Sequence, residues 1–210
     1  MSSPSTDAKK PILVTGAHRS RTTWVGRMLA LSPEIGYIHE PFNIASYNRA
    51  ADFAYWYYYI TDENASSFFR GIADAIAFRY DLMDGIKRAQ RPRDIVGAFR
   101  TYSRFWFHRL RGARPLIKDP IAVFSAEWLA SAFDMGVVVM IRHPAAFASS
   151  LKRLGWQFDF NDLLQQPLLL REGPSIFLRI GDKRIRSGRS RHYRPGGAAL
   201  AVDLFSGSQV

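Results

Sequence analysis

The residues best suited to chemistry are concentrated in one short turn near the N-terminus. The segment Gly16-Ala17-His18-Arg19-Ser20-Arg21-Thr22-Thr23-Trp24 follows an apolar run and precedes a helical pattern. At such a strand-to-helix turn, backbone N–H groups and the positive end of the helix dipole can hold a phosphate. The hydroxyls of Ser20, Thr22 and Thr23 add donors, and Arg19 adds positive charge. The turn therefore predicts an anion site, with an ordinary helix cap as the alternative.

This turn differs from the Walker A loop of kinases and ATPases. The pattern G-x-x-x-x-G-K-[ST] would require Gly at position 21 and Lys at position 22, where the chain has Arg21 and Thr22. A nucleotide kinase or other P-loop phosphotransferase would also need an acidic residue to hold Mg²⁺. Phosphoryl transfer therefore stays an alternative that the sequence disfavours.

Polar groups also follow three later apolar runs. His39 and Glu40 come after Gly36-Tyr37-Ile38, Lys118 comes after Leu116-Ile117, and Arg142 comes after a run that begins at Val137. If these runs are parallel strands, their carboxyl ends meet at one edge of a sheet, where ligands bind. We therefore expect these side chains to lie near Arg19.

The elements that position these groups alternate between strands and helices. Apolar runs predict strands at 12–15, 36–38, 116–117 and 137–141, and helical patterns start at Thr22 and Pro144 and cover Ala122 to Phe133. Residues 44–110 read as mostly helical. This order predicts an α/β fold, a P-loop-like three-layer α/β/α arrangement with a central parallel sheet and a helical insertion between strands 2 and 3.

Composition limits the class of protein. The chain has 210 residues, 47% of them hydrophobic, which suits one domain, predicted at 11–172 after a flexible 1–10 segment. It has no cysteine, and no apolar run approaches the roughly 20 residues of a membrane span. The N-terminal segment is too polar for a secretory signal, so a cytoplasmic protein is predicted. The net charge of +11 favours an anionic partner, and a non-enzymatic nucleic-acid-binding protein is a second alternative.

The composition changes after about Glu172. Residues 173–210 hold seven basic and two acidic side chains among Gly, Ser and Pro, with no long apolar periodicity. We predict a basic, poorly ordered tail there. It is either a natural anion-binding extension or the product of a truncated or frame-shifted C-terminal part, which would leave the fold incomplete and its activity reduced.

Four segments in order resemble motifs of the sulfotransferase family, whose donor is 3′-phosphoadenosine 5′-phosphosulfate. PILVTGAHRSRTTWVGRML is similar to the 5′-phosphosulfate-binding loop, commonly G-x-[PH]-[KR]-S-G-T-T-W-L. The strand ending in Arg142, with Ser150 eight residues later, looks like the 3′-phosphate motif. Tyr37-Ile38-His39-Glu40-Pro41-Phe42-Asn43 and Leu116-Ile117-Lys118-Asp119-Pro120 resemble segments of the bacterial and carbohydrate-type branch.

The resemblance implies a role for each matching residue. Arg19 would stabilise charge on the bridging and sulfuryl oxygens, and Arg142 and Ser150 would bind the 3′-phosphate. Glu40 would be the catalytic base, with His39 as the competing assignment. The 5′ group would be bound by His18, Ser20, Arg21, Thr22, Thr23 and Trp24. No metal is implied, and the acceptor would be a hydroxyl, or alternatively an amine, of a carbohydrate, lipid or small metabolite rather than a nucleic acid.

Two further features carry expectations. Arg21 stands where the family has glycine, and a positive φ there would cost about 1 kcal/mol or more. The aromatic cluster Tyr55-Trp56-Tyr57-Tyr58-Tyr59 is predicted to pack in the core, with the lining of a substrate cleft as the alternative.

Overall fold

The structure is a computed structural model that describes residues 10–156 and 159–173. One compact unit extends as far as Arg171. The predicted flexible segment 1–10 and the predicted basic tail 173–210 lie outside the described residues, apart from Lys10 and Gly173.

Four parallel strands form the central sheet. They are β1 (Ile12–Gly16), β2 (Ile35–His39), β3 (Arg114–Lys118) and β4 (Gly136–Met140), in the spatial order β2-β3-β1-β4. Each predicted strand is present, one or two residues longer or shifted at its ends. The all-parallel pairing confirms the predicted α/β class, because parallel neighbours require crossover connections that place helices on the faces of the sheet.

Seven labelled α-helices accompany the strands within the described residues, five before β4 and two after it. They are α1 (Thr22–Leu29), α2 (Ser66–Ile76), α3 (Leu82–Lys87), α4 (Pro92–Leu110), α5 (Ala126–Ala132), α6 (Pro144–Leu154) and α7 (Asn161–Leu164). Residues 167–173 are also helical. Helices α2 to α4 form the predicted insertion between β2 and β3. Asp81 caps α3 by accepting from the Asp84 N–H at 3.0 Å, and Pro92 starts α4, where a missing N–H costs nothing.

Two helical predictions are wrong in part. The first part of 44–110, residues 44–65, forms turns rather than helix, because amide side chains bond to the local backbone, as Asn43 Oδ1 does to the Ala45 N–H and Asn64 Oδ1 to the Thr61 N–H. The helix predicted from Ala122 to Phe133 is also broken. A 3₁₀ turn at Ile121–Val123 precedes α5, and buried Ser125 between them bonds through its side chain to the backbone of a distant segment.

The core lies on the central strands. Leu13, Val14, Leu116 and Ile117 of β1 and β3 are fully buried. Strand β4 is an edge strand in the described structure, and the side chain of its Val139 is about half exposed. The central strands are therefore rigid supports for the loops at their carboxyl ends, and β4 is the less enclosed side of the sheet.

Candidate active site

The carboxyl ends of the four strands bring the predicted polar groups to one edge of the sheet. β1 leads into the loop 17–21, β2 into Glu40, β3 into Lys118 and Asp119, and β4 into Arg142. This grouping follows from parallel pairing, because all four strands end on the same side. The site divides into a β1–β4 side and a β2–β3 side.

The loop after β1 begins at a position that only glycine can occupy. Gly16 has φ of +141°, and a Cβ there would lie 2.3 Å from the carbonyl oxygen of Met140 on β4. The absence of a side chain lets the β1 and β4 backbones approach closely where the loop leaves the sheet. The loop is thereby positioned against the end of β4.

The alternative reading of the turn, an ordinary helix cap, is not present at α1. The Ser20 hydroxyl instead donates to the Ala17 carbonyl oxygen at 2.5 Å, inside the loop. Arg21 occupies the N-cap position without a side-chain hydrogen bond, and the first turn of α1 contains no acidic residue. The first-turn N–H groups of Thr22 and Thr23 have no intrahelical acceptor, so this helix terminus suits an external anion.

Two arginines of the loop adopt the left-handed conformation. Arg19 has φ of 61° and Arg21 has φ of 68°. Position 21, where the family pattern has glycine, thus has the positive φ for which a cost was considered, and the strain is of order 1 kcal/mol or more for a residue with a side chain. Strained backbone of this kind is concentrated at ligand sites.

Arg19, Arg142 and Ser150 come together although they belong to two separate sequence motifs. Arg19 Nε donates to Ser150 Oγ at 3.3 Å, and an Arg142 terminal nitrogen donates to the Arg19 carbonyl oxygen at 2.7 Å. The Ser150 side chain is 2% exposed, whereas Arg19 is exposed. The loop after β1 and the start of α6 therefore form one cationic group.

Glu40 lies on the β2–β3 side, paired with Lys118. A left-handed φ of 46° at Glu40 turns the chain out of the strand direction, and its N–H donates to the Lys118 carbonyl oxygen at 2.9 Å. Lys118 is 1% exposed and its ammonium donates to Glu40 Oε1, while Asn43 Nδ2 donates to Oε2 at 3.0 Å. Burial alone would raise the pKa of Glu40, but the hydrogen bonds from Lys118 and Asn43 and the charge of Lys118 lower it overall.

His39 takes a different environment from Glu40. Its side chain is exposed, and its Nδ1 lies 3.3 Å from the Tyr37 hydroxyl. Burial raises the pKa of Tyr37 to about 12, so the tyrosine stays protonated at neutral pH. The two neighbouring candidates for the base thus have different partners, and only Glu40 is held by the buried lysine.

Asp119 also lies at this edge of the sheet, and sequence reasoning proposed no role for it. It is fully buried, and its Oδ2 accepts from the Phe42 N–H at 2.7 Å while its Oδ1 accepts from the Ile121 N–H at 2.9 Å. Burial raises the pKa of Asp119 to about 7, and the two amide hydrogen bonds lower it in part. Asp119 therefore ties the turn after Glu40 to the end of β3. The adjacent Lys118-Asp119 pair in the sequence was the available signal.

Aromatic rings surround His18, which was predicted to bind the nucleotide. Trp156 stacks on the His18 ring with centroids 5.0 Å apart, and Tyr57 meets it edge-on at 5.0 Å. Burial lowers the pKa of His18, with opposing contributions from Glu40, which raises it, and Lys118, which lowers it. The cluster 55–59 serves the core, since Tyr57 and Tyr59 are buried, but Tyr57 also borders the site. No sequence pattern indicated Trp156.

The remaining loop residues take several positions. The Thr22 side chain is buried and that of Thr23 is half-buried, while Arg21 and Trp24 are exposed, Trp24 by 63%.

A cavity of about 310 Å³ lies between the ends of β1 and β4. Its lining is mainly apolar and consists of Gly16, Ala17, Val123, Val139, Met140, Ile141, Arg142, Pro144 and Phe147. Among the described residues, no three His, Asp or Glu side chains converge as a metal site would require, and no helix is long and apolar enough to cross a membrane.

A comparison with family models identifies the family of the chain. Residues 11–169 match the model described as the sulfotransferase family, which covers the sheet, the insertion and every predicted site residue. The chain belongs to the sulfotransferase family. No curated protein and no solved structure matches it.

Proposed function

We propose that this chain transfers a sulfuryl group from 3′-phosphoadenosine 5′-phosphosulfate to a hydroxyl acceptor. The observation that carries the proposal is the shared sheet edge, on which the cationic group of Arg19, Arg142 and Ser150 follows β1 and β4 while the Glu40–Lys118 pair follows β2 and β3. Sulfuryl transfer from this donor to a hydroxyl needs a cationic site for the anionic groups of the donor and a base that takes the hydroxyl proton.

The β1–β4 side suits the nucleotide donor. The uncapped start of α1 and the loop hydroxyls match a 5′-phosphosulfate, and Arg142 with Ser150 matches a 3′-phosphate. His18, Arg21, Thr23 and Trp24 complete the set of loop residues that would contact the donor. When bound, the donor supplies an activated sulfuryl group, and Arg19 would stabilise the negative charge that develops on its oxygens.

The β2–β3 side suits proton removal from the acceptor. A Glu40 carboxylate oxygen would accept the hydroxyl proton, and Lys118 and Asn43 hold the carboxylate in one orientation. Because these partners lower the pKa of Glu40, the base is ionised at neutral pH. Its contribution to activity is lost only as the pH falls through that lowered pKa.

The acceptor is proposed by chemical class alone. A hydroxyl on a carbohydrate, a lipid or a small metabolite fits the resemblance to the bacterial branch. The net charge of +11 favours an acidic acceptor through long-range attraction.

Calorimetric titration of the full chain with 3′,5′-adenosine bisphosphate tests the donor site. We expect binding of the bisphosphate and weaker binding of ATP with Mg²⁺, since ATP lacks the 3′-phosphate. Tighter binding of ATP would instead support a phosphotransferase. Binding of neither by a folded chain would contradict the proposed donor.

Replacement of Glu40 tests the base. Glu40→Gln keeps an oxygen for Lys118 but cannot take a proton, so we expect bisphosphate binding to survive and sulfuryl transfer from labelled donor to fall by about a hundredfold or more. Glu34→Gln, at an exposed glutamate, is the matched control and should leave transfer unchanged. Loss of transfer in His39→Ala, with retention in Glu40→Gln, would assign the base to His39.

A further inference from the structure

Helix α4 has two apolar faces, of which only one packs against the rest of the chain. The inner face contributes Ala98, Thr101, Phe105 and His108, which are all buried. An adjacent face, here called the outer face, carries large apolar side chains that are exposed to solvent. They are Ile95, Val96, Phe99, Tyr102, Trp106 and Leu110.

The outer face forms a continuous stripe. Positions 95, 99, 102, 106 and 110 advance by three or four residues, so their side chains lie above one another along the helix. The stripe is about 22 Å long at 1.5 Å per residue. Single exposed apolar residues are common on protein surfaces, but a continuous stripe of this kind marks an interaction surface.

Positive charge borders the stripe. At the helical period, Arg93 and Arg100 fall on one flank and Arg109 on the other, and all three are exposed. The acidic residue of α4 is Asp94, whose Oδ2 is occupied by the Arg91 N–H at 3.0 Å at the start of the helix. Arg93 forms an ion pair with Asp94, its Nε lying 4.0 Å from Asp94 Oδ1, whereas Arg100 and Arg109 form no ion pair with a carboxylate among the described residues. The outer face therefore offers aromatic and aliphatic side chains with an unpaired cation on each flank.

We propose that the outer face of α4 docks on an anionic lipid surface. Trp106 and Tyr102 are side chains that favour the boundary between headgroups and acyl chains, and Phe99 and Leu110 would enter the acyl region. The flanking arginines can keep their apolar stems on the lipid while their guanidinium groups bind phosphates. This inference does not depend on sulfuryl transfer.

Charge argues against a second copy of the chain as the occupant. A two-fold contact would place α4 against α4 and bring the arginine flanks of both copies together. Since Asp94 is already held by the helix start and by Arg93, the like charges of Arg100 and Arg109 would repel at close range. An anionic bilayer has the opposite charge and no such conflict.

Vesicle flotation of the full chain is the first test. We expect the chain to float with vesicles of phosphatidylcholine and phosphatidylglycerol, and to remain unbound with phosphatidylcholine alone. Added salt should weaken the binding because part of it is electrostatic. No binding to either vesicle, or equal binding to both, would overturn the proposal.

Paired substitutions separate the outer face from the other basic segments of the chain. Trp106→Ser with Leu110→Ser should weaken partitioning at least about tenfold. Leu31→Ser with Leu164→Ser removes two side chains of similar exposure elsewhere, 74% and 61%, and should leave partitioning unchanged. Residues 174–210 are themselves basic, so unchanged partitioning of the Trp106 and Leu110 variant would assign the binding elsewhere and overturn the proposal.

A third measurement requires no disruptive change. If Trp106 enters the bilayer, lipids brominated on their acyl chains should quench the fluorescence of the wild-type chain more than that of Trp106→Phe, which keeps an apolar ring. Equal quenching of the two would overturn the proposal. A second outcome would also overturn the proposal: light scattering shows a dimer of the wild-type chain, the Trp106 and Leu110 substitutions dissociate it, and the wild-type dimer does not bind vesicles.

Discussion

The two sides of the active-site edge are built in contrasting ways. On the β2–β3 side, Glu40, Lys118 and Asp119 all have hydrogen-bond partners, and the lysine and the aspartate are buried. On the β1–β4 side, Arg19 and Arg21 are exposed with left-handed backbones, beside the partly exposed edge strand β4.

The contrast indicates different sources of order. The Glu40 turn is preorganised by the fold, because buried ion pairs and hydrogen bonds hold it without any ligand. The loop after β1 concentrates positive charge and backbone strain with few internal contacts, which is favourable once an anion neutralises it. Under the proposed function, the geometry of the base side would therefore be held by the stability of the fold. The geometry of the donor side would be held by the bound donor.

Removing the buried cation should have the largest effect. Lys118→Met leaves the Glu40 carboxylate without its main partner, so we expect the free energy of unfolding to fall by about 3 kcal/mol in urea titrations. Lys87→Met, at an exposed lysine of α3, should change it by less than about 0.5 kcal/mol. Equal effects of the two variants would show that the β2–β3 side is not preorganised by this pair.

A double variant tests the same pair by its coupling. Adding Glu40→Gln to Lys118→Met removes the unpaired carboxylate, so part of the lost stability should return. Strictly additive losses in urea titrations would mean that the two side chains do not interact energetically.

Asp119 should make stability depend on pH. Its pKa is raised to about 7 in the folded chain from an ordinary 3.8, so the folded state binds more protons between these values. Stability should therefore decline as pH rises through this range, by at most about 1.4 kcal/mol per pH unit. Asp119→Asn should remove that contribution, whereas exposed Asp62→Asn should keep it. Parallel pH profiles for wild type and Asp119→Asn would contradict the assignment.

On the β1–β4 side, replacing two nearby arginines with glycine should change the free energy of unfolding in opposite directions. Arg21→Gly relieves a left-handed backbone and should raise the free energy of unfolding by about 1 kcal/mol. Arg27→Gly, in the interior of α1, should lower it by about 1 kcal/mol. If urea titrations showed that both substitutions change the free energy of unfolding in the same direction, the backbone strain inferred for the loop would be contradicted.

The smallest effect is expected at Ser150. Ser150→Ala removes the oxygen that Arg19 contacts at 3.3 Å, and should weaken binding of 3′,5′-adenosine bisphosphate by about 0.5–1 kcal/mol in calorimetry. The exposed neighbour Ser149 gives the control Ser149→Ala, which should bind as wild type. A loss shared by both variants would place the effect in helix α6 rather than in the Ser150 hydroxyl.

Local patterns were sufficient to predict some of the fold. Four short apolar runs predicted the four strands, because buried parallel strands are apolar on both faces. The helices at Thr22 and Pro144 were predicted by periodicity and by a proline at the helix start. The patterns failed at 44–65 and at Ser125, where side chains bond to backbone groups and override helical propensity.

The sequence by itself determined the strand order along the chain and the composition of the anion loop. These depend on contacts between neighbours in the chain, which residue types specify directly. Only the tertiary structure decided that Lys118 pairs with Glu40, that Asp119 holds the Phe42 amide and that Trp156 covers His18. Such partners are distant in sequence, and they meet because the parallel sheet brings separate strand ends to one edge.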